Sequence, residues 1–519
     1  MYDFIIVGSG FGGSVAALRL SEKGYKVLVI EKGKWFRSED YPKTNWNLRK
    51  WLWMPALKFF GIQKITFLRH ITILSGTGVG GGSLVYANTL PKPKTGFYKN
   101  GSWAHLADWE SELAPHYETA WKMLGAVENP ALGESDLAFK KLAADIGVGE
   151  HFSPTKVAVY FGEENKTVAD PFFDGSGPER TGCIKCGACM TGCRHGAKNT
   201  LDTNYLYLAQ KKGAEILAER EVSKIIPLGE NGKDGYRIVI RKSTSYFSKE
   251  TILEAKGIIL AGGVLGTIPL LLKNKKKNLP LLSEKLGELV RTNNEALLGI
   301  VSTDKNADMS TGIAIGSIIE LDENTHIEPV RYGNGSGFWR ILMMPMITEP
   351  NFAKRLLFLL ISPLREWRNM LKMFNIKDFG KQTSIILFMQ QLDSTLRLGR
   401  NRLGLYSTSE AGASPTAFIP LAHNIARKYA GIVKGINRVL ATETVTGIPT
   451  TAHILGGAVI GENPKEGAID AQNKVFGYEN MYICDGSAVS ANPGVNPSLT
   501  ITAIAERAMS KIPVKEDIR

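Results

Sequence analysis

A strand, a glycine-rich turn and a helix open the chain, and together they leave few folds available. Phe4-Ile5-Ile6-Val7 is a short apolar run, Gly8-x-Gly10-x-x-Gly13 follows it directly, and Val15, Ala16, Leu18 and Leu20 then fit the buried face of a helix. Gly24 ends that helix, and Val27-Leu28-Val29-Ile30 is a second buried strand. Two such strands joined by a helix form a βαβ unit and predict a parallel α/β sheet. In this setting each glycine has a task. Gly8 permits the tight turn, Gly10 lets the backbone approach a pyrophosphate, and Gly13 lets the helix pack on the strand. The free N–H groups and the dipole at the helix start favour the phosphates. Glu31, just past the second strand, is placed for ribose hydroxyls. A motif beginning as early as residue 4 favours FAD over NAD as the dinucleotide.

At 519 residues the chain is long enough for two to three packing units. Gly76-Thr77-Gly78-Val79-Gly80-Gly81-Gly82 is a second glycine cluster, flanked by Ile71, Ile73, Leu84 and Val85. Such a loop can run against a flat ligand because no Cβ intervenes. A strand-like return covers Glu215 to Pro227, a further strand, turn and helix cover 258–272, and a closing helix is expected near 498–511. Residues 300–420 mix short strand-like and helical runs without a clear pattern.

The formal charge of +13 favours an anionic partner. Two stretches carry aromatic, aliphatic and basic residues together: 45–70, with Trp46, Trp51, Trp53 and Phe67, and 352–374, with Leu356-Leu357-Phe358-Leu359-Leu360-Ile361. Both suit an interfacial role on anionic lipid, or else buried core or a lid over a pocket. Nucleic acid is not expected, because no module for it is present. No run reaches the ~18 apolar residues of a membrane span. A cofactor strand beginning at Tyr2 leaves no room for a leader, so a cytoplasmic location is expected, with peripheral contact to the inner membrane face as an extension.

Cys183-x-x-Cys186-x-x-Cys189-x-x-x-Cys193 has the spacing of a bacterial ferredoxin run, with Arg194 where ferredoxins carry proline. Gly182, Gly187, Gly192 and Gly196 allow a wrapped backbone. An iron–sulfur cluster, a zinc ion and a metal-free loop are the three readings. Cys484 reads as a small buried residue, and His195 and His423 as structural histidines.

Near the C-terminus stand His453-x-Leu455-Gly456-Gly457, Asp485-Gly486-Ser487 and Gly494-Val495-Asn496-Pro497. With the two glycine loops, these motifs make the chain resemble the glucose–methanol–choline (GMC) flavin oxidoreductases, and among them the cholesterol oxidases of the mycobacterial type. The resemblance spans nearly the whole chain. It implies an α/β protein (α+β overall): a Rossmann-type FAD-binding domain built from discontinuous segments, and a substrate-binding domain with a mainly antiparallel sheet and covering helices. The FAD-binding segments are expected at 1–92, 200–300 and 446–519, a cap segment bearing the cysteines at 93–199, and the substrate-binding domain at 301–445.

The resemblance further implies oxidation of a hydrophobic secondary alcohol, such as a 3-hydroxysteroid, by hydride transfer to flavin. His453 is then the general base. Asn496 orients the substrate oxygen and caps a helix whose first residue is Pro497. Gly80, Gly81, Val222, Asp485 and Pro497 join Gly8, Gly10, Gly13 and Glu31 as cofactor contacts. Electrons go to O2 or to an electron-transfer partner, the latter if the cysteines hold iron and sulfur. The competing readings are a dehydrogenase of another alcohol (sugar, choline or long-chain) and an electron-transfer flavoprotein. Any ring-isomerising carboxylate is not singled out; Glu328 and Asp393 are two of several acids available.

Overall fold

The computed structural model describes residues 1–410 and 414–516. Tyr2–Val7 and Val27–Ile30 pair in parallel around the Phe11–Glu22 helix. The fully buried strand Val27–Ile30 shows why no polar residue interrupts it. Glu215–Leu217 adds a parallel strand beyond it, and Thr251–Leu260 adds one on the other side of Tyr2–Val7. The far edge of Thr251–Leu260 is shared. Its first half pairs antiparallel with Gly235–Lys242, which pairs with Arg220–Leu228. Its last residues pair in parallel with Met481–Ile483. One seven-stranded sheet is therefore assembled from the two ends and the middle of the chain. The closing helix, Ser498–Ser510, packs beside Phe11–Glu22 in the same core.

A second seven-stranded sheet is antiparallel throughout. Its central strands are Ala296–Ser302, Thr383–Gln390 and Thr325–Val330. Gly435–Leu440 lies on one side, and Ser317–Glu320 with Phe152–Pro154 on the other. The helices Glu134–Asp145 and Pro420–Ile432 cover one face, packing Phe139, Leu142, Ile425 and Tyr429 on Leu298, Ile300, Ile386 and Phe388. The opposite face looks into the cleft between the two sheets. The unpatterned 300–420 stretch thus folds mainly as this sheet.

The two aromatic-basic stretches separate in the structure. Trp51 and Trp53 are buried, and Trp51 packs edge-on against Phe338 and Trp339. Within 45–70, Trp51, Leu52, Trp53 and Ile62 belong to the core, while Trp46, Met54, Leu57 and Phe67 are exposed. The 352–374 stretch folds as two short helices, Phe352–Arg365 and Trp367–Phe374, whose apolar face remains open to solvent.

Candidate active site

A cavity of about 620 Å³ lies between the sheets. Its two ends differ in chemistry. At one end the wall is backbone and charge: Gly8 to Gly12, Glu31, Gly81, Gly82, Val222 and the turn Gly262-Gly263. At the other, Leu297, Val330, Trp339, Met343, Leu387 and Leu440 give an apolar wall. His453, Asn496 and Pro497 also line it.

The glycine-lined end fits a dinucleotide. A Cβ on Gly10 would meet nothing within 4 Å, and the same holds for Gly263 and Gly266, all three on the cavity wall. Side chains there would project into ligand space. Gly8 and Gly13 serve the fold instead. Gly8 has φ +103°, and a Cβ on it would sit 2.3 Å from the Ala261 carbonyl oxygen; one on Gly13 would sit 2.0 Å from the Gly8 oxygen. The two glycine loops touch, since a Cβ on Gly81 would lie 2.6 Å from Gly10 Cα. Gly80 stands one step back from the wall, its N–H donating to Ser9 Oγ.

Glu31 accepts from Ser9 N–H at 3.1 Å, Ser9 Oγ at 2.8 Å and Gly33 N–H at 2.8 Å. A carboxylate offers about four acceptor sites, so one remains for a ribose hydroxyl while the others fix the loop. Asp485 is used more fully. It accepts from Gly263 N–H, Thr267 Oγ1 and Ser487 N–H, bracing the start of the Val264–Lys275 helix against the cavity. Burial pushes the Asp485 carboxyl up, and these donors oppose that. The Gly262-Gly263 turn carried no distinct signal in the sequence beyond its strand–turn–helix setting.

Asn496 does not cap the closing helix. That helix begins at Ser498, with Pro497 as its N-cap and no side-chain cap bond. The Asn496 amide turns instead toward the second sheet, where Nδ2 donates to Glu328 Oε2 at 3.1 Å. Glu328 is fully buried, and its Oε1 lies 2.9 Å from His326 Nε2. The expected cap is lost for a physical reason: the buried Glu328 carboxylate needs donors, and the Asn496 amide supplies one. Asn496 Oδ1 is buried without a hydrogen-bond partner among the described residues. Asp393, the other acid named from the sequence, pairs with Arg291 and is half exposed.

His453 is set by Glu295, which sequence reasoning missed. Glu295 Oε2 accepts from Thr451 Oγ1 at 2.7 Å and, with Oε1, from Ala452 N–H at 3.1 Å. Its Oε2 also lies 3.1 Å from His453 Nδ1. Burial alone would push the His453 imidazolium down; the charges of Glu295 and then Glu328 outweigh it and hold the ring above its ordinary value. Asn293 completes the frame, accepting from Gly494 N–H and donating to the Val495 carbonyl. The 293–295 turn thus holds both C-terminal segments, 451–453 and 494–496. The only signal for it in the sequence is a polar run, Thr292 to Glu295, before the apolar strand that follows.

The four clustered cysteines line a second, smaller cavity, behind the loop that bears Tyr86. Cys484 is buried, and none of the five cysteines is in a disulfide.

Known proteins resemble this chain in sequence family and in fold. The GMC oxidoreductase family models match residues 2–278 and 411–505. The chain is 44% identical over 530 residues to a cholesterol oxidase of Acinetobacter baumannii, covering 100% of this chain and 95% of that one. It is 44% identical over 533 residues to a cholesterol oxidase of Mycobacterium tuberculosis (strain ATCC 25618 / H37Rv), covering 99% and 91%. A solved structure, pyridoxine 4-oxidase from Mesorbium loti, shares the fold with a TM-score of 0.62 at 15% identity, over 98% of this chain and 99% of that one. The chain therefore belongs to the GMC oxidoreductase family and is an FAD-dependent alcohol oxidoreductase.

Proposed function

We propose that the chain oxidises the hydroxyl group of a sterol, with His453 as base and Asn496 as orienting group. One observation carries this reading. His453 and Asn496 stand in the same cavity as a glycine-lined cofactor end and a long apolar end. FAD, when bound, supplies the hydride acceptor. The Gly8–Gly12 turn, Glu31, Val222 and the Gly262-Gly263 turn would hold it, and Pro497 brings the start of the Ser498–Ser510 helix to the same cavity.

The protein's own part is a proton. With Nδ1 facing the Glu295 carboxylate, the imidazole proton belongs on Nδ1 and the lone pair on Nε2. Nε2 then takes the hydroxyl proton, and the Asn496 amide, with one Nδ2–H given to Glu328, has a second Nδ2–H to donate to the hydroxyl oxygen as charge builds there. Loss of the proton builds charge on oxygen, which makes the carbon a better hydride donor. The apolar wall from Leu297 to Leu440 excludes water and suits a rigid hydrocarbon skeleton. The names of the two cholesterol oxidase relatives support a sterol over a sugar or choline, and O2 as an electron acceptor.

The substrate's home is a bilayer, and the exposed helix pair suits contact with one. Leu360 is 69% exposed, Leu364 79% and Phe374 76%. Lys354, Arg365, Arg368 and Lys372 on the same two helices have no acidic partner among the described residues. Arg340 donates to the Met373 and Ile376 carbonyls, fastening this pair to the segment that puts Trp339 on the cavity wall. No helix is long and apolar enough to cross a membrane, so contact would be peripheral.

The test is anaerobic mixing of the purified holoenzyme with a 3β-hydroxysterol in detergent. Bleaching of the flavin's visible band is expected, with colour returning when air is admitted. An unbleached flavin that dithionite still reduces would remove sterol as substrate, and a long-chain alcohol would be the next donor to mix.

A further inference from the structure

We propose that Cys183, Cys186, Cys189 and Cys193 ligate one cubane iron–sulfur cluster, placed as a one-electron outlet beside the flavin cleft. The ligation stands on the cysteine site alone; the outlet rests on the alcohol oxidation proposed above.

All four cysteines ring one small cavity, together with Arg194 and Lys198. The loop that carries them is pinned rather than slack. Gly187 N–H donates to the Gly312 carbonyl and Gly312 N–H to the Lys185 carbonyl, both at 2.8 Å. A Cβ on Gly187 would fall 2.1 Å from the Ser310 oxygen, and one on Gly192 2.0 Å from the Tyr41 ring. Both glycines have positive φ, +65° and +93°. Only glycine permits this wrap, and the wrap turns main-chain donors inward. Lys185 N–H reaches Cys183 Sγ at 3.4 Å, and the Ala188 and Ala314 amides face the Cys186 and Cys189 thiols. Amide donors to sulfur stabilise thiolates bound to iron and set the cluster's potential.

The ligand spacing favours a cluster over a single ion. Cys-x-x-Cys-x-x-Cys-x-x-x-Cys within eleven residues is the run that wraps an iron–sulfur cubane, whereas structural zinc sites draw their ligands as two separated pairs. The cluster's charge also has a counterpart. Lys198 is buried and makes no salt bridge among the described residues; its Nζ is held by the Leu84, Tyr86 and Cys189 carbonyls, and the buried Asp202 acts on it through charge alone. A buried cation among carbonyls beside four thiols is balanced if those thiols become thiolates on iron.

The site adjoins the flavin cleft. Met190, next to Cys189, lines the main cavity, as does Tyr86. Tyr86 packs edge-on to Phe11 at 5.5 Å, and Lys198 Nζ lies 4.7 Å from the Tyr86 ring centre while bonded to Cys189. Oxidation of one alcohol releases two electrons and two protons. The cluster carries the electrons one at a time, being reduced and reoxidised twice, and hands each to a one-electron protein carrier; both protons go to solvent. O2 is then not the sole acceptor.

Full-length holoenzyme, produced with added iron and purified without oxygen, tests both parts. About four iron and four acid-labile sulfide per chain are expected. Cys186→Ser should lower iron at least ~10-fold with FAD retained, as loss of a metal's protein partner does. Less than one iron per chain after anaerobic reconstitution with ferrous iron and sulfide, or stoichiometric zinc in its place, overturns the ligation. Low-temperature paramagnetic resonance then follows the outlet. Photoreduction of the flavin should produce the reduced-cluster signal without any alcohol present. A cluster that dithionite reduces but reduced flavin does not would overturn the outlet. A cluster signal from light but not from sterol would leave this proposal standing and count against the sterol instead.

Discussion

His453 Nδ1 lies 3.1 Å from Glu295 Oε2, a carboxylate with no solvent exposure. The charge so close to the ring governs the pH dependence of the proposed base. The Glu295 and Glu328 charges hold the His453 pKa above its ordinary value against the downward push of burial. The base is competent only when neutral, so activity should rise with pH through an apparent pKa above ~6.5. Glu295→Gln removes the nearer charge. The acid limb of the kcat/KM profile should then move to lower pH, while the plateau falls ~10-fold or more because the imidazolium loses its partner. A limb that stays in place would separate Glu295 from the titration.

Removal of the base itself is a harsher test. His453→Gln should lower kcat by about 10²–10⁴-fold, the usual worth of a positioned base, with the flavin spectrum intact. Asn496→Leu keeps the volume but deletes the amide and strips Glu328 of a donor. It should lower kcat more than it raises KM, because the amide acts on the reacting hydroxyl and not on the hydrocarbon. Steady-state kinetics with a detergent-solubilised sterol read both effects.

Two glycines separated by one residue in the sequence should behave in opposite ways. A Cβ on Gly10 meets no protein atom within 4 Å, and Gly10 has φ −71°, which alanine adopts freely. Gly10→Ala should fold with an unchanged apoprotein melting temperature but bind FAD weakly, since the methyl enters ligand space. A Cβ on Gly12 would lie 1.4 Å from the Cys484 carbonyl oxygen. Gly12→Ala should therefore destabilise the protein itself, by several kcal/mol at the scale of core overpacking, about 1–3 or more. Thermal melts with and without added FAD distinguish the two.

What the sequence revealed follows from which interactions are local. Tyr2 to Glu31 is a single βαβ unit whose own strand pairing, Phe4 with Val27 through Val7 with Ile30, closes within 30 residues, so pattern and spacing were enough to place it. His453 and Asn496 were legible only through a family resemblance, because the turn that orients them lies far away in the chain. Glu295 and Asn293 look like ordinary polar residues before a strand; their role exists only once Ala296–Ser302 enters the second sheet and brings the turn to 451–453 and 494–496. The Asn-Pro pair at 496–497 reads locally as a cap and a first turn, yet the buried Glu328 draws the amide elsewhere. Trp51 and Trp53 share their composition with the open helices at 352–374, and only packing on Phe338, Trp339 and Phe60 tells them apart.

That contrast gives the membrane prediction its control. Leu360 and Leu364 project from the Phe352–Arg365 helix into solvent, 69% and 79% exposed. Replacing both with glutamate disturbs little packing, whereas each leucine buried in a bilayer interface is worth about 1.5 kcal/mol or more, roughly tenfold in affinity. Leu360→Glu/Leu364→Glu should therefore lose at least ~100-fold in binding to anionic vesicles, counting the two leucines together. Its rate on sterol held in those vesicles should fall in step, and its rate on detergent-solubilised sterol should stay near that of the parent. Salt should weaken the parent's vesicle binding as well, through Lys354, Arg365, Arg368 and Lys372. Vesicle co-sedimentation and paired activity assays read these outcomes. Equal losses on both forms of substrate would instead make the helix pair part of the cavity's own architecture, acting through Arg340 and Trp339.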